Sequence, residues 1–368
     1  MINIAFVKFA GLSGGGTEKY LQTLAANLPK DRFSVDYYYT EAVPLIGNSF
    51  IHPATDSDRY SYMKDNNINL IEVGLDARDD RSGKHSDWVN TNFFEIFDPS
   101  KYDIIQTGRF GYKEFPFYKM DDCIFVDSIH SGGQCSIEHR ENIKATVLLS
   151  KYHVGQWISN GGDESKIKII PPIVECPANI HRYDARQRLG IPKDTVVFGM
   201  HQRVCDIIFS SIPIDCFKKL SGNVSYVIMG GSDRYRSQYS DIGNVFFVDF
   251  STRVEDICSF LDMLDVYSHG RSDGEVCSAS IIEALKNGLP VISHSALNNG
   301  HQEQIEGCGF FVNSKEEYLE AMTRLLDKEL RLELGAKATK KYKSVYGLKP
   351  CIEEYVKLYE EILDPQID

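Results

Sequence analysis

The stretch LDVYSHGRSDGEVCSASIIEALKNGLPVISH, residues 264–294, decides how the rest of the chain is read. An apolar strand leads into a polar turn holding Arg271, Asp273, Gly274 and Glu275; a helix starts near Ser280, and a second strand begins at Leu289. This is a βαβ-like unit with acidic chemistry at one loop. Glu275 lies in the turn and Glu283 in the first turn of the helix, eight positions later. A loop feeding a helix start offers backbone N–H groups and the positive end of the helix dipole to a phosphorylated ligand. Carboxylates do not hold the phosphate itself; they accept hydrogen bonds from hydroxyl groups beside it. The loop therefore suits a sugar and a ribose flanking a diphosphate. Two plainer readings stand beside this one. Ser280 and Glu283 form S-x-x-E, a capping box that would only close the helix start, and for Glu275, a loop carboxylate, a solvated surface acid is the commoner case.

Composition limits the alternatives. At 368 residues the chain is too long for one ordinary core, so two domains are expected. Its 42% hydrophobic and 25% charged residues are those of a globular protein. No apolar run is long enough to span a bilayer, and the opening MINIAFVKFA lacks the basic start and apolar core of a signal peptide, so a cytoplasmic location is expected. The nine cysteines are scattered without a C-x-x-C pair, which argues against a disulfide framework or zinc site. A net charge of −12 argues against nucleic acid as partner and leaves only a local patch for peripheral membrane contact.

From the N-terminus, Ile2 to Ala10 is a buried parallel strand, followed by GLSGGGTEKYLQTLAANL, a glycine loop and an amphipathic helix. Further strands are expected at 33–40, 69–75, 102–108, 123–130 and 145–150, each ending in polar or small residues, as where α/β sheets bind ligands. Two polar, poorly periodic stretches, about 41–67 and 76–92, read as long loops. Pro171, Pro172 and Pro177 mark a domain boundary, and TVVFGM (195–200) opens the second half, followed by His201-Gln202-Arg203.

E-x7-E followed by A-L-K-N-G-L-P-V-I resembles the retaining glycosyltransferases of the GT-B fold, family 4 (glycosyl transferases group 1) type. Gly15-Gly16-Thr17-Glu18 is similar to the family's opening GG-x-E, and NNGHQEQIEGCGFFV to its later glycine-rich motif, with Glu303 matching its acid. The resemblance implies an α/β protein of two Rossmann-like domains facing across a cleft. An N-terminal acceptor-binding domain would take 1–175 plus a helix at about 346–368 crossing back onto it. A nucleotide-sugar-binding domain would take 176–345.

The resemblance also assigns roles. Glu275 would contact the transferred sugar, Arg203 the departing diphosphate, and His130 would hydrogen-bond the sugar. Gly14, Gly15, Gly16, Ser251, Gly274, Val276, Cys277, Ser278 and Glu283 would complete the donor site, with Glu283 on the ribose. No metal or other cofactor is expected. His85 and Trp88 are candidates for the acceptor-binding surface. Two positions depart from the pattern. Ile208 stands where a diphosphate-binding Lys is expected, with Lys218 and Lys219 only on the following helix, and Ser278 replaces a glycine.

The expected activity is transfer of a sugar from a UDP- or GDP-sugar to a hydroxyl of a saccharide, lipid-linked or protein-linked glycan acceptor. A non-hydrolysing nucleotide-sugar epimerase would share the architecture, and a binding protein without turnover would fit the two departures.

Overall fold

The computed structural model describes residues 1–41, 55–74, 88, 91–110, 115–132, 136–174 and 182–364. The chain divides into two compact units, Met1–Ile173 with Leu348–Asp368, and Val174–Gly347.

The first unit is built on strands β1 (Ile2–Lys8), β2 (Phe33–Tyr39), β3 (Asn69–Glu72), β4 (Ile104–Arg109), β5 (Phe125–Ile129), β6 (Ile143–Leu148) and β7 (Ile167–Ile169). They form one parallel sheet in the order β3-β2-β1-β4-β5-β6-β7. Runs such as Ile4 to Val7 are apolar throughout because helices cover both faces of a parallel sheet. Aromatic residues fill one side: Trp88 packs edge-on against Phe9 and Phe93 with no exposed surface. Trp88 is thus a core residue and not part of an acceptor-binding surface; His85 lies outside the described residues. The stretch expected as a loop over 41–67 contains a helix, Ser57–Asp65, because Asp56 caps it by accepting the N–H groups of Asp58 and Arg59. The C-terminal helix Leu348–Leu363 belongs to this unit. Its Tyr355 hydroxyl bonds that of Tyr20 at 2.6 Å, and Tyr359 donates to the buried Gln106 at 2.8 Å.

The second unit repeats the plan with β8 (Val196–His201), β9 (Val224–Met229), β10 (Val245–Val248), β11 (Val266–Ser268), β12 (Gly274–Glu275), β13 (Val291–His294), β14 (Asn298–Asn299) and β15 (Gly309–Val312). Six of these make a parallel sheet in the order β10-β9-β8-β11-β13-β15, while β12 pairs with β14 alone. In each sheet the order reverses beside the first strand, between β1 and β4 and between β8 and β11. Loops leaving the carboxyl ends of those strands part there, which opens the crevice where doubly wound sheets take ligands.

Candidate functional site

In the second unit the switch point gathers the chemistry. The segment after β8 is zipped to the loop after β11: Ser210 N–H donates to Gly270 O at 3.1 Å, Ser272 N–H to Ile208 O at 3.0 Å, and Phe209 bridges Arg271. Ile208, at the position where a lysine was expected, turns its side chain into the protein at 5% exposure. The cation beside it comes from the other strand end. Arg271 donates through Nε and Nη2 to both Asp273 oxygens at 2.7 Å, and through Nη1 to Glu275 Oε1 at 2.5 Å. Burial works against the Arg271 charge, but Glu275 and Asp273 outweigh it and hold the guanidinium above its ordinary pKa. Arg203 is exposed and lies within the same field: surrounding protein and then the Arg271 charge lower its pKa, while Glu275 and Asp273 oppose them. Arg203, Glu275 and Arg271, a residue the motif did not assign, thus share one electrostatic neighbourhood.

Glu275 is held by backbone as well. Gly274 has φ +64°, and a Cβ there would come within 1.9 Å of Asn298 O, so the β12–β14 contact requires glycine. Glu275 Oε1 is taken by Arg271; Oε2 is buried and has no hydrogen-bond partner. Val276 and Cys277 continue inward, both buried. Ser278 is fully buried, its N–H donating to Gln304 Oε1 at 2.6 Å and its C=O accepting from Gln304 Nε2 at 3.0 Å. Its side chain accepts the Ile281 N–H, which makes Ser278 the N-cap of the helix Ala279–Lys286. The Ser280–Glu283 capping box therefore does not form. Glu283 lies in the second helical turn instead, where Oε2 meets His201 Nε2 at 2.8 Å. His201 Nδ1 faces the Tyr267 hydroxyl at 3.2 Å, so Tyr267, His201 and Glu283 form a chain of polar contacts. Ser251 stands apart from this group: its Oγ bonds Asp256 at 2.6 Å and accepts the Arg253 N–H.

The first unit holds the remaining candidates. Gly15 is the N-cap of the helix Gly16–Asn27 and supplies no side-chain cap. The loop before it is fixed by Gln22 Nε2, which donates to Gly11 O at 2.7 Å and Ser13 O at 3.0 Å. Glu18 pairs with Lys8 at 3.3 Å, both nearly buried. His130 stacks edge-on against Tyr20, with ring centroids 4.5 Å apart, and its Nε2 lies 3.2 Å from Ser128 Oγ. Burial, then Lys8 and His153, push the His130 pKa down to about 3, so near neutral pH the ring is uncharged and suited to hydrogen bonding, not to donating a proton from imidazolium. Beside it Arg109 and Asp127 form a buried pair at 2.7 Å. Among the described residues no group of three or more His, Cys, Asp or Glu side chains is placed to hold a metal ion, and no helix is long and apolar enough to cross a membrane.

Over its whole length this architecture is similar to solved glycosyltransferase structures. A glycosyltransferase from Rickettsia africae superposes with TM-score 0.72 at 16% identity, covering 99% of both chains. The sucrose-phosphate synthase of Thermosynechococcus elongatus superposes with TM-score 0.73 at 16% identity over 100% of both. The chain has the GT-B fold. Within it, residues 211–341 match the family model of glycosyl transferases group 1. A third GT-B structure, Anabaena HepE in complex with UDP and glucose, superposes with TM-score 0.72 at 16% identity, covering 98% of this chain and 100% of that one. No curated protein sequence matches.

Several residues that shape the candidate site in this GT-B chain were given no role by the sequence. His201 and Gln304 act on Glu283 and Ser278 from 82 and 26 positions away, and no local period links such partners. Arg271 was visible in the turn, and its spacing of four from Glu275 was the available signal.

Proposed function

We propose that the chain is a retaining glycosyltransferase that moves a sugar from a nucleoside-diphosphate sugar, UDP- or GDP-linked, to a hydroxyl of a saccharide or lipid-linked acceptor. The observation that carries this reading is Glu275 at the β8/β11 switch point, beside Arg203, with one carboxylate oxygen buried and unpartnered. A sugar hydroxyl donating to Oε2 would satisfy that oxygen, and the orphan costs about 1–3 kcal/mol if nothing does. Arg203 would pair with the departing diphosphate and stabilise its developing charge, so the reaction is proposed to run without a metal. Glu283 would accept from the ribose on the side away from His201. The uncapped helix start at Gly14, Gly15 and Gly16 would receive phosphate, and neutral His130 would hydrogen-bond the sugar. Gly274, Val276 and Cys277 would line the sugar, and Ser251 the base. Because Anabaena HepE has been solved with UDP and glucose, UDP-glucose is the first donor to try.

The test is release of nucleoside diphosphate from UDP-, GDP- and ADP-sugars, with and without simple saccharide acceptors. One donor should be turned over, with slow hydrolysis when acceptor is absent, and Glu275→Ala should lower the rate at least about 100-fold. Ile208 in place of lysine favours a second reading, a GT-B binding protein without turnover. Donor binding without diphosphate release would support that reading, and absence of both would sink the first.

A further inference from the structure

We infer that Arg271 is a positioning residue that aims the Glu275 carboxylate at the donor sugar; the inference rests on the transferase reading above. Three observations carry it. The Arg271 guanidinium is locked before it meets Glu275, because Nε and Nη2 both donate to Asp273 at 2.7 Å in a two-pronged contact that fixes its plane. From that plane Nη1 reaches Glu275 Oε1 at 2.5 Å, which sets the rotation of the carboxylate. The opposite oxygen, Oε2, is the one left buried without a partner. A carboxylate gripped on one oxygen by a fixed cation presents the other in a single direction.

Three of the five guanidinium N–H groups are thereby engaged with carboxylates, and the charge of Arg271 is matched by two acids before any ligand arrives. Its guanidinium is therefore committed to Asp273 and Glu275, and the proposed diphosphate contact falls to Arg203, which is exposed. The backbone supports the same division of labour. Arg271 is bridged to Phe209, and its neighbour Ser272 donates to Ile208 O, so the guanidinium emerges from two segments clamped by backbone and not from a loose loop tip. The buried Ile208 is part of that clamp, which is a physical reason for an apolar residue at a position where the motif expects a lysine.

The test uses the full chain, the first donor it turns over in the screen above and the nucleoside diphosphate released from that donor. Arg271→Met should lower kcat/KM roughly 30- to 100-fold while the Kd of the free nucleoside diphosphate stays within about twofold, since the sugar and not the phosphate loses its contact. Arg271→Lys, which keeps the positive charge on a single nitrogen without the planar fork, should recover part of the loss. The double variant Arg271→Met with Glu275→Gln should be no worse than Glu275→Gln alone, because Arg271 acts through that carboxylate. If Arg271→Met folds poorly, Arg271→Lys carries the test: a single ammonium cannot hold both acids, and kcat/KM should fall about tenfold with diphosphate affinity unchanged. The inference is overturned if Arg271→Met keeps wild-type kcat/KM, if the two substitutions multiply, or if diphosphate affinity falls in step with turnover, which would place Arg271 on the phosphates. A wild-type chain that turns over no donor overturns the transferase reading and this inference with it; an active wild type with an indifferent Arg271 overturns this inference alone.

Discussion

At the scale of single residues, one buried ion pair ties two neighbouring strands of the first unit. Arg109 donates through Nε to Asp127 at 2.7 Å and through Nη1 to Ser136 O at 2.8 Å, and Thr107 Oγ1 donates to the other Asp127 oxygen at 2.8 Å. With both side chains almost fully buried, removing one leaves the other charge stranded. Arg109→Met should destabilise the first unit by about 3–5 kcal/mol, and adding Asp127→Asn should recover much of that loss. Urea midpoints of the two variants check this; an Arg109→Met midpoint indistinguishable from wild type would refute it. The pair had no sequence signature, because its members lie on two different strands, 18 positions apart. Glu275 and Glu283 were legible as a spaced couple, yet their partners were not. The capping box offered for Glu283 failed because a cap needs the serine in extended backbone before the helix, and that conformation belongs to Ser278.

At the scale of elements, one serine accounts for the start of the helix Ala279–Lys286. Ser278 sits at φ −91° and ψ 119° and accepts the Ile281 N–H, while Gln304 holds its backbone on both sides. The departure from the family's glycine thus supplies a cap. Ser278→Ala should cost about 1 kcal/mol, whereas Ser278→Gly should cost only a few tenths, since glycine is itself tolerated at this position. Thermal unfolding of the two variants separates the possibilities: a glycine variant as unstable as the alanine one would contradict the capping role. Most strands were legible, since a strand buried on both faces reads as an unbroken apolar run, as VSYVIM does for β9. The helix Ser57–Asp65 was not, because its polar sequence buries only Arg59 and Met63, and its evident signal was the Asp56 cap.

At the scale of the whole molecule, buried histidines couple stability to pH. Burial lowers the pKa of His130 to about 3 and of His153 to about 4, and that of His269 well below its ordinary value. A depressed histidine is neutral in both states above the unfolded pKa of about 6.5, so it costs nothing there. Below that pH the unfolded chain takes up protons that the folded chain refuses, and stability falls until the folded pKa is reached. At pH 5 each such histidine should remove about 2 kcal/mol, most of it regained on return to pH 7. Unfolding free energies at pH 7, 6 and 5 test this, and a flat profile across that range would show that these rings are not held neutral.

The sequence by itself determined two α/β halves and the glycine loop, and it marked Glu275, Glu283 and Arg203 as chemistry worth following. Local apolar runs, turn residues and short spacings carry that information, because the physics that sets them acts between near neighbours. Only the tertiary structure decided that both sheets reverse their order beside β1 and β8, and that Arg271 takes the place beside Ile208. It also decided that Glu283 answers to His201 and not to a helix cap. Those outcomes depend on strand ends that meet across tens of residues, where burial and hydrogen bonding choose the partners and the sequence leaves no periodic trace.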